Sequence, residues 1–303
     1  MAVLPNRFLV KLDANNDYFQ TYQQHVGILR VTVGKATGVS GPKKSGAKRL
    51  LQKLVKDVPD CYCKVNIGAA DKDVWRTSTV KNHLEPAWDE THDFPVMDHD
   101  QLLAIDVNDE DLGGDDDIGV ATTTVRQLLL AGGAQELPLA HDGEPTPATV
   151  AVRAQYFRLA PDAASFTAAE HGGAEGRLCG LATVLVGSAL GLQGERDGLK
   201  PSVRVAWGGQ VLATAVKTYS PGVDIFNPAF DQAFTIPVTA ALAAEAAPFR
   251  VSLLNGKDEA GGVDVPFADV LNAPGLTLEK KLDVGSGAVV RVCISLRGMQ
   301  LSQ

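Results

Sequence analysis

The chain has little cysteine. Four residues, Cys61, Cys63, Cys179 and Cys293, are spread over 303 positions. They are too few and too scattered for a disulfide framework, and no C-x2-C pair begins a zinc site, so a reducing compartment fits. Cys61 and Cys63 are two apart in an apolar stretch, share one face of a strand, and read as packing residues.

Long apolar runs are also missing. None approaches the roughly 18 residues that a bilayer-spanning helix needs, and the opening "MAVLPNRFLVKLDANNDYF" has no signal-peptide core. The expected location is cytoplasmic, with any membrane contact peripheral. Positive charge is outnumbered, 28 Lys and Arg against 36 Asp and Glu, for a net charge of -8. That excludes whole-molecule attraction to nucleic acid or anionic lipid and leaves only local patches.

Catalytic signatures are absent as well. There is no G-x-S-x-G and no H-E-x-x-H, and His25, His83, His92, His99, His141 and His171 are scattered. "GVSGPKKSG" has Lys43 where a phosphate-binding loop needs glycine. An enzyme is not expected.

What is present is a pattern used twice. One pass runs from "GILRVTV" through "CYCKVNIG", "LEPAWDE", "LLAIDVND" and "DDIG" to "TVAVRAQYFRL". The other runs from "GLATVLVG" through "PSVRVAWGG", "FNPAFDQAF" and "FRVSLLNG" to "GAVVRVCISLRG". "EPAWDE" and "NPAFDQ" anchor the match, each with a proline, an aromatic and an acid at one spacing. Segments such as 29–33, 103–107 and 203–207 alternate apolar with polar residues and are rich in Val and Ile, as half-buried strands are. The fold class is all-β: two tandem antiparallel β-sandwiches, with a short basic helix inserted in the first. The domains are an N-terminal extension (1–26), a first sandwich (27–160), a Gly- and Ala-rich linker (161–176) and a second, degenerate sandwich (177–303).

The order "GILRVTVGKATGV", "DCYCKV", "LEPAWDE", "VNDEDLGGDDDIG" resembles the C2 domain, a calcium- and phospholipid-binding sandwich of eight strands. "VLPNRFLVKL" followed by "GILRV" is similar to the junction in extended synaptotagmins and tricalbins, where a lipid-carrying domain ends. The resemblance implies the docking part of a membrane-tethering, lipid-transfer or trafficking protein, with membrane contact sites as one implied location.

Residues 106–119 hold Asp106, Asp109, Asp111, Asp115, Asp116 and Asp117 together with Glu110. Crowded carboxylates repel unless they are solvated or bridged, and Ca2+ is the natural bridge because it takes six to eight oxygens at about 2.3–2.6 Å in loose geometry. The resemblance assigns Asp60, Asp109, Asp111 and Asp116 as ligands, with Asp117 the alternative for the last. Asp109 and Asp111 also project to one side of a strand end. Leu54 stands where the family has a further aspartate, and Asp57 is the nearby substitute. Leu112, at the loop tip, matches a position that dips into the bilayer.

Between the first two strands lies "SGPKKSGAKRLLQKLVK". Ala47, Leu50, Leu51, Leu54 and Val55 form one helical arc, Lys48, Arg49, Lys53 and Lys56 the rest, and Lys43 and Lys44 precede them. Ser45 can cap the helix and Pro59 ends it. Leading into Asp60, this insert belongs at the calcium end, suited to phosphatidylserine or phosphoinositides.

In the second repeat Lys200, Asn255 and Lys257 replace Asp60, Asp109 and Asp111, so calcium is not expected there. The function expected is calcium-regulated peripheral binding to anionic phospholipid membranes, with a possible protein partner for the second domain. The alternative is a calcium-independent protein-interaction scaffold of two C2-like sandwiches.

Overall fold

A computed structural model describes residues 7–11, 19–23, 25–40, 58–68, 74–111, 114–167, 177–285 and 287–301. Two compact units separate, His25–Phe157 and Arg158–Gln300. An N-terminal antiparallel pair, β1 (Arg7–Lys11) and β2 (Phe19–Gln23), groups with the second of them.

The first unit contains β3 (Gly27–Thr37), β4 (Cys61–Ile67), β5 (Trp75–Arg76), β6 (Ala87–Val96), β7 (Leu102–Asp109), β8 (Asp116–Thr124), β9 (Ala134–His141) and β10 (Glu144–Ala160). Hydrogen bonding arranges them in two layers of four, β6-β3-β10-β9 and β5-β4-β7-β8. Alternation makes the core: Leu29, Val31 and Val33 from one layer meet Cys63, Val65, Leu103, Ile105 and Val107 from the other. A short helix, α1 (Val125–Leu130), follows β8 and is closed by a capping box between Thr124 and Gln127.

The second unit repeats this plan with β11 (Leu178–Leu190), β12 (Pro201–Trp207), β13 (Gln210–Ala213), β14 (Ala229–Thr239), β15 (Phe249–Asn255), β16 (Asp258–Val265), β17 (Thr277–Asp283) and β18 (Val289–Leu301). Its layers are β14-β11-β18-β17 and β13-β12-β15-β16. Trp207 stacks on Phe249 at 4.4 Å and on Phe267 at 5.5 Å inside it.

The repeated "EPAWDE" and "NPAFDQ" acquire a common cause. Each opens a strand across a bulge in its neighbour, between Val33 and Lys35 in one unit and between Val186 and Ser188 in the other. Asp89 and Asp231 take left-handed φ values of 51° and 52°, which aspartate tolerates better than most residues. Trp88 and Phe230 enter the two cores. The next residue reaches a loop amide in each case: Glu90 accepts the Ser78 N–H at 3.0 Å, and Gln232 accepts the Ala215 N–H at 3.0 Å.

Part of the stretch read as linker is built into the second unit. Residues Ala164–Thr167 form a helical turn, α2, whose Phe166 is buried in that core and meets Phe267 edge-on at 6.4 Å. Gly180 makes room for it, since a Cβ there would lie 2.7 Å from the Phe166 ring. Asp162 accepts from Gln300 Nε2 at 3.1 Å and from the Ala164 amide at 3.0 Å, which holds its carboxyl below the usual range.

All four cysteines are buried and unpaired with one another. Burial pushes the Cys179 thiol up to about 11 and that of Cys293 to about 12. A thiol reagent at pH 8 is expected to leave the native chain unlabelled and to label all four cysteines after denaturation; rapid native labelling would contradict this packing. Phe166→Ala is expected to destabilise the second unit by about 3 kcal/mol. A melt in which only the first unit's transition moved would count against the docking of α2.

Candidate functional site

Three neighbouring strands bring the acidic residues to one end of the first sandwich. In the β4–β7 register Cys61 faces Asp109, and in the β7–β8 register Asp109 faces Asp116. Asp60, one residue ahead of β4, therefore meets the start of the acidic loop. Two hydrogen bonds fix that meeting: the Asp60 amide donates to Asp109 Oδ1 at 2.8 Å, and the Asp60 carbonyl accepts the Glu110 N–H at 2.9 Å. Asp60 Oδ1 also accepts the Asn82 amide at 2.8 Å, tying in a third loop. Asp109 is 5% exposed, at the margin of the core, whereas Asp111 is exposed.

Asp116 and Asp117 part company. Asp116 lies opposite Asp109, while Asp117 lies opposite Asn108 and pairs with His141 Nδ1 at 3.2 Å. Asp57, Leu112, Lys43, Lys44, Lys48, Arg49, Lys53 and Lys56, and with them the basic helix, lie outside the described residues.

Among the described residues no three His, Cys, Asp or Glu side chains form a preformed metal cage. The arrangement offers hard carboxylate oxygens on adjacent strand ends, the donor chemistry of calcium rather than zinc. The nearest thiol is a poor ligand. Cys61 faces the core, and burial, followed by the charges of Asp109 and Asp60, pushes it up to about 12.

Several residues around the loop gave no functional signal in the sequence. The Tyr62 hydroxyl donates to Asp115 Oδ2 at 2.5 Å, the main reason the Asp115 carboxyl is held below its usual range. Arg76 lies over the Tyr62 ring and pairs with Glu110, lowering that carboxyl in the same way. Alternation was one clue: with Cys61 and Cys63 inward, Tyr62 faces out, and its polar tip needs a partner.

The second sandwich supplies an internal comparison. There the Lys200 amide donates to Asn255 Oδ1 at 2.7 Å, and the Gly256 N–H reaches the Lys200 carbonyl at 2.9 Å. These are the same two bonds, made at the positions of Asp60 and Asp109. A neutral amide oxygen suffices for them, so the fold does not require the charge of Asp109. Beyond them the turn contains only Gly256 and Lys257, against residues 110–115 in the first sandwich, and Asp258 stands where Asp116 does.

The model of the C2 domain matches residues 27–139 and 180–281. A "Calcium-dependent lipid-binding protein" of Arabidopsis thaliana is 32% identical over 114 residues, 37% of this chain and 20% of that protein. "Extended synaptotagmin-2" of Mus musculus is 30% identical over 119 residues, 39% of this chain and 13% of that protein. The matched stretch thus spans a fifth or less of these relatives. Among solved structures, "Extended-Synaptotagmin 2, C2A- and C2B-domains, calcium bound" superposes with a TM-score of 0.72 at 19% identity, covering 93% of this chain and all of that one, a likeness of fold. With two matched segments that together span most of its length, and two eight-stranded sandwiches to house them, the chain belongs to the C2 domain family.

Proposed function

We propose that the chain is a peripheral membrane-binding module whose first sandwich docks on anionic phospholipid under the control of calcium. One observation carries this: the bonds between Asp60 and Asp109 bring carboxylates from sequence positions 49 apart to one sheet end, and the second sandwich makes the same bonds with no carboxylate at all. The negative charge of Asp109 is therefore an addition to what this closure needs. The names of the relatives, a calcium-dependent lipid-binding protein and an extended synaptotagmin, point the same way.

Asp60, Asp109, Asp111 and Asp116 are the residues that would hold the ion. The register favours Asp116 over Asp117, which is engaged with His141. Bound calcium supplies positive charge at a loop end that otherwise repels lipid phosphate. Asp109 and Asp60 contribute oxygens already oriented by backbone amides, and Asp111 contributes one from the exposed loop.

Leu112 and the basic residues from Lys43 to Lys56 would then face the lipid. Each lysine or arginine at an anionic surface adds about 1 kcal/mol, so this stretch would strengthen the contact without setting the trigger. The second sandwich, with Lys200 and Lys257 in place of two carboxylates, has no such trigger and serves as a companion docking unit. A tethering or lipid-transfer role at membrane contact sites extends this reading to a longer protein. The module binds rather than catalyses.

Co-sedimentation with phosphatidylserine vesicles tests the proposal. The chain is expected to pellet in calcium and to remain in solution with a chelator; equal pelleting in both would remove the switch. Asp109→Asn is expected to leave the calcium-free melting temperature unchanged, as Asn255 indicates, and to weaken calcium binding at least roughly tenfold. Unchanged calcium affinity in that variant would place the ion elsewhere.

A further inference from the structure

Tyr62 is 1% exposed although it stands on the outer face of β4, outside the cluster of residues packed between the two layers and outside the proposed ligand set. The Arg76 guanidinium lies 3.8 Å above its ring, and Lys64 Nζ lies 5.4 Å from the ring centroid. Its hydroxyl donates to Asp115 Oδ2 at 2.5 Å. Arg76 in turn pairs with Glu110 and donates to Thr79 Oγ1 at 3.3 Å. Glu110 and Asp115 are the first and last residues between β7 and β8. Both ends of the acidic loop are thus fastened to one aromatic side chain and the cation stacked on it.

The second sandwich again serves as the comparison. Its registers place Ser202 at the position of Tyr62 and Ala213 at that of Arg76. There the acidic loop has shrunk to Gly256 and Lys257. Where the long loop is present the brace is present, and where the loop is gone both of its members are gone.

We propose that Tyr62, supported by Arg76, is the positioning residue of the acidic loop, pinning its two ends so that Asp111 and Asp116 stay close to Asp109 before a cation arrives. Carboxylates left to themselves relax apart, and a loop ordered only on binding subtracts its ordering cost from affinity. The brace transfers that cost to folding. It also gives Asp115 a task distinct from ligation: its carboxylate anchors the loop while its neighbours face the ion. The role in affinity rests on calcium binding as proposed above.

The test uses the whole chain, with Tyr62→Phe removing only the hydroxyl, Arg76→Gln removing the stacked cation, and Ser202→Ala as a control in the second sandwich. Amide exchange is followed across residues 110–116 without calcium, and calcium is titrated by calorimetry. Tyr62→Phe and Arg76→Gln are expected to speed exchange in that segment and to weaken calcium binding, each about tenfold, with exchange in β3 unchanged. Ser202→Ala should alter neither quantity. A wild-type chain that binds calcium together with a Tyr62→Phe chain that binds it equally well would overturn the brace alone. A wild-type chain that binds no calcium would overturn the calcium proposal, whatever the variants do.

Discussion

Carboxylates gathered at one end of one sheet are the constraint around which the first sandwich's loops are organised. Asp60, Asp109 and Asp116 occupy adjacent strand ends, and Asp111 follows within two residues of Asp109. Their mutual repulsion opposes closure of the loops. Closure is secured by backbone hydrogen bonds that pass through the carboxylates themselves: the Asp60 amide onto Asp109, and the Asn82 amide onto Asp60. Each bond fixes the direction of a carboxylate without neutralising it. A hard cation is the partner proposed for such an arrangement.

The two halves of the chain separate what the fold needs from what the site needs. Both close the same loop with the same pair of bonds, and both open β6 or β14 with an aspartate in left-handed geometry beside a bulge. These shared features are architectural. The features held by the first half alone, the charge at position 109, the length of the acidic loop and the Tyr62–Arg76 brace, all concern one end of one sandwich. In the second half the aligned positions carry Lys200, Asn255 and Lys257, and the turn is as short as two strands allow.

Much of the fold was legible in the sequence because its signals are local. Alternation in β3, β7 and β12 wrote the core, and "EPAWDE" with "NPAFDQ" gave the repeat. The reason for that repeat was not legible: a bulge, a left-handed aspartate and a side chain reaching a loop amide are relations to distant residues. Phe166 was hidden for the same cause, since it stands in a Gly- and Ala-rich stretch and finds its pocket only beside Gly180. At the site, the resemblance to the C2 family supplied the aspartates. Asp115 looked like one more acid in a run, and Tyr62 like one more strand residue; their bond crosses 53 positions and has no periodicity to betray it.

A crystal grown or soaked in calcium probes the central claim at its source. Anomalous density is expected between the loops of the first sandwich, ringed by oxygens of Asp60, Asp109, Asp111 and Asp116, with none at Lys200 and Asn255. Density at another place, or none at millimolar calcium, would contradict an ion as the partner of these carboxylates.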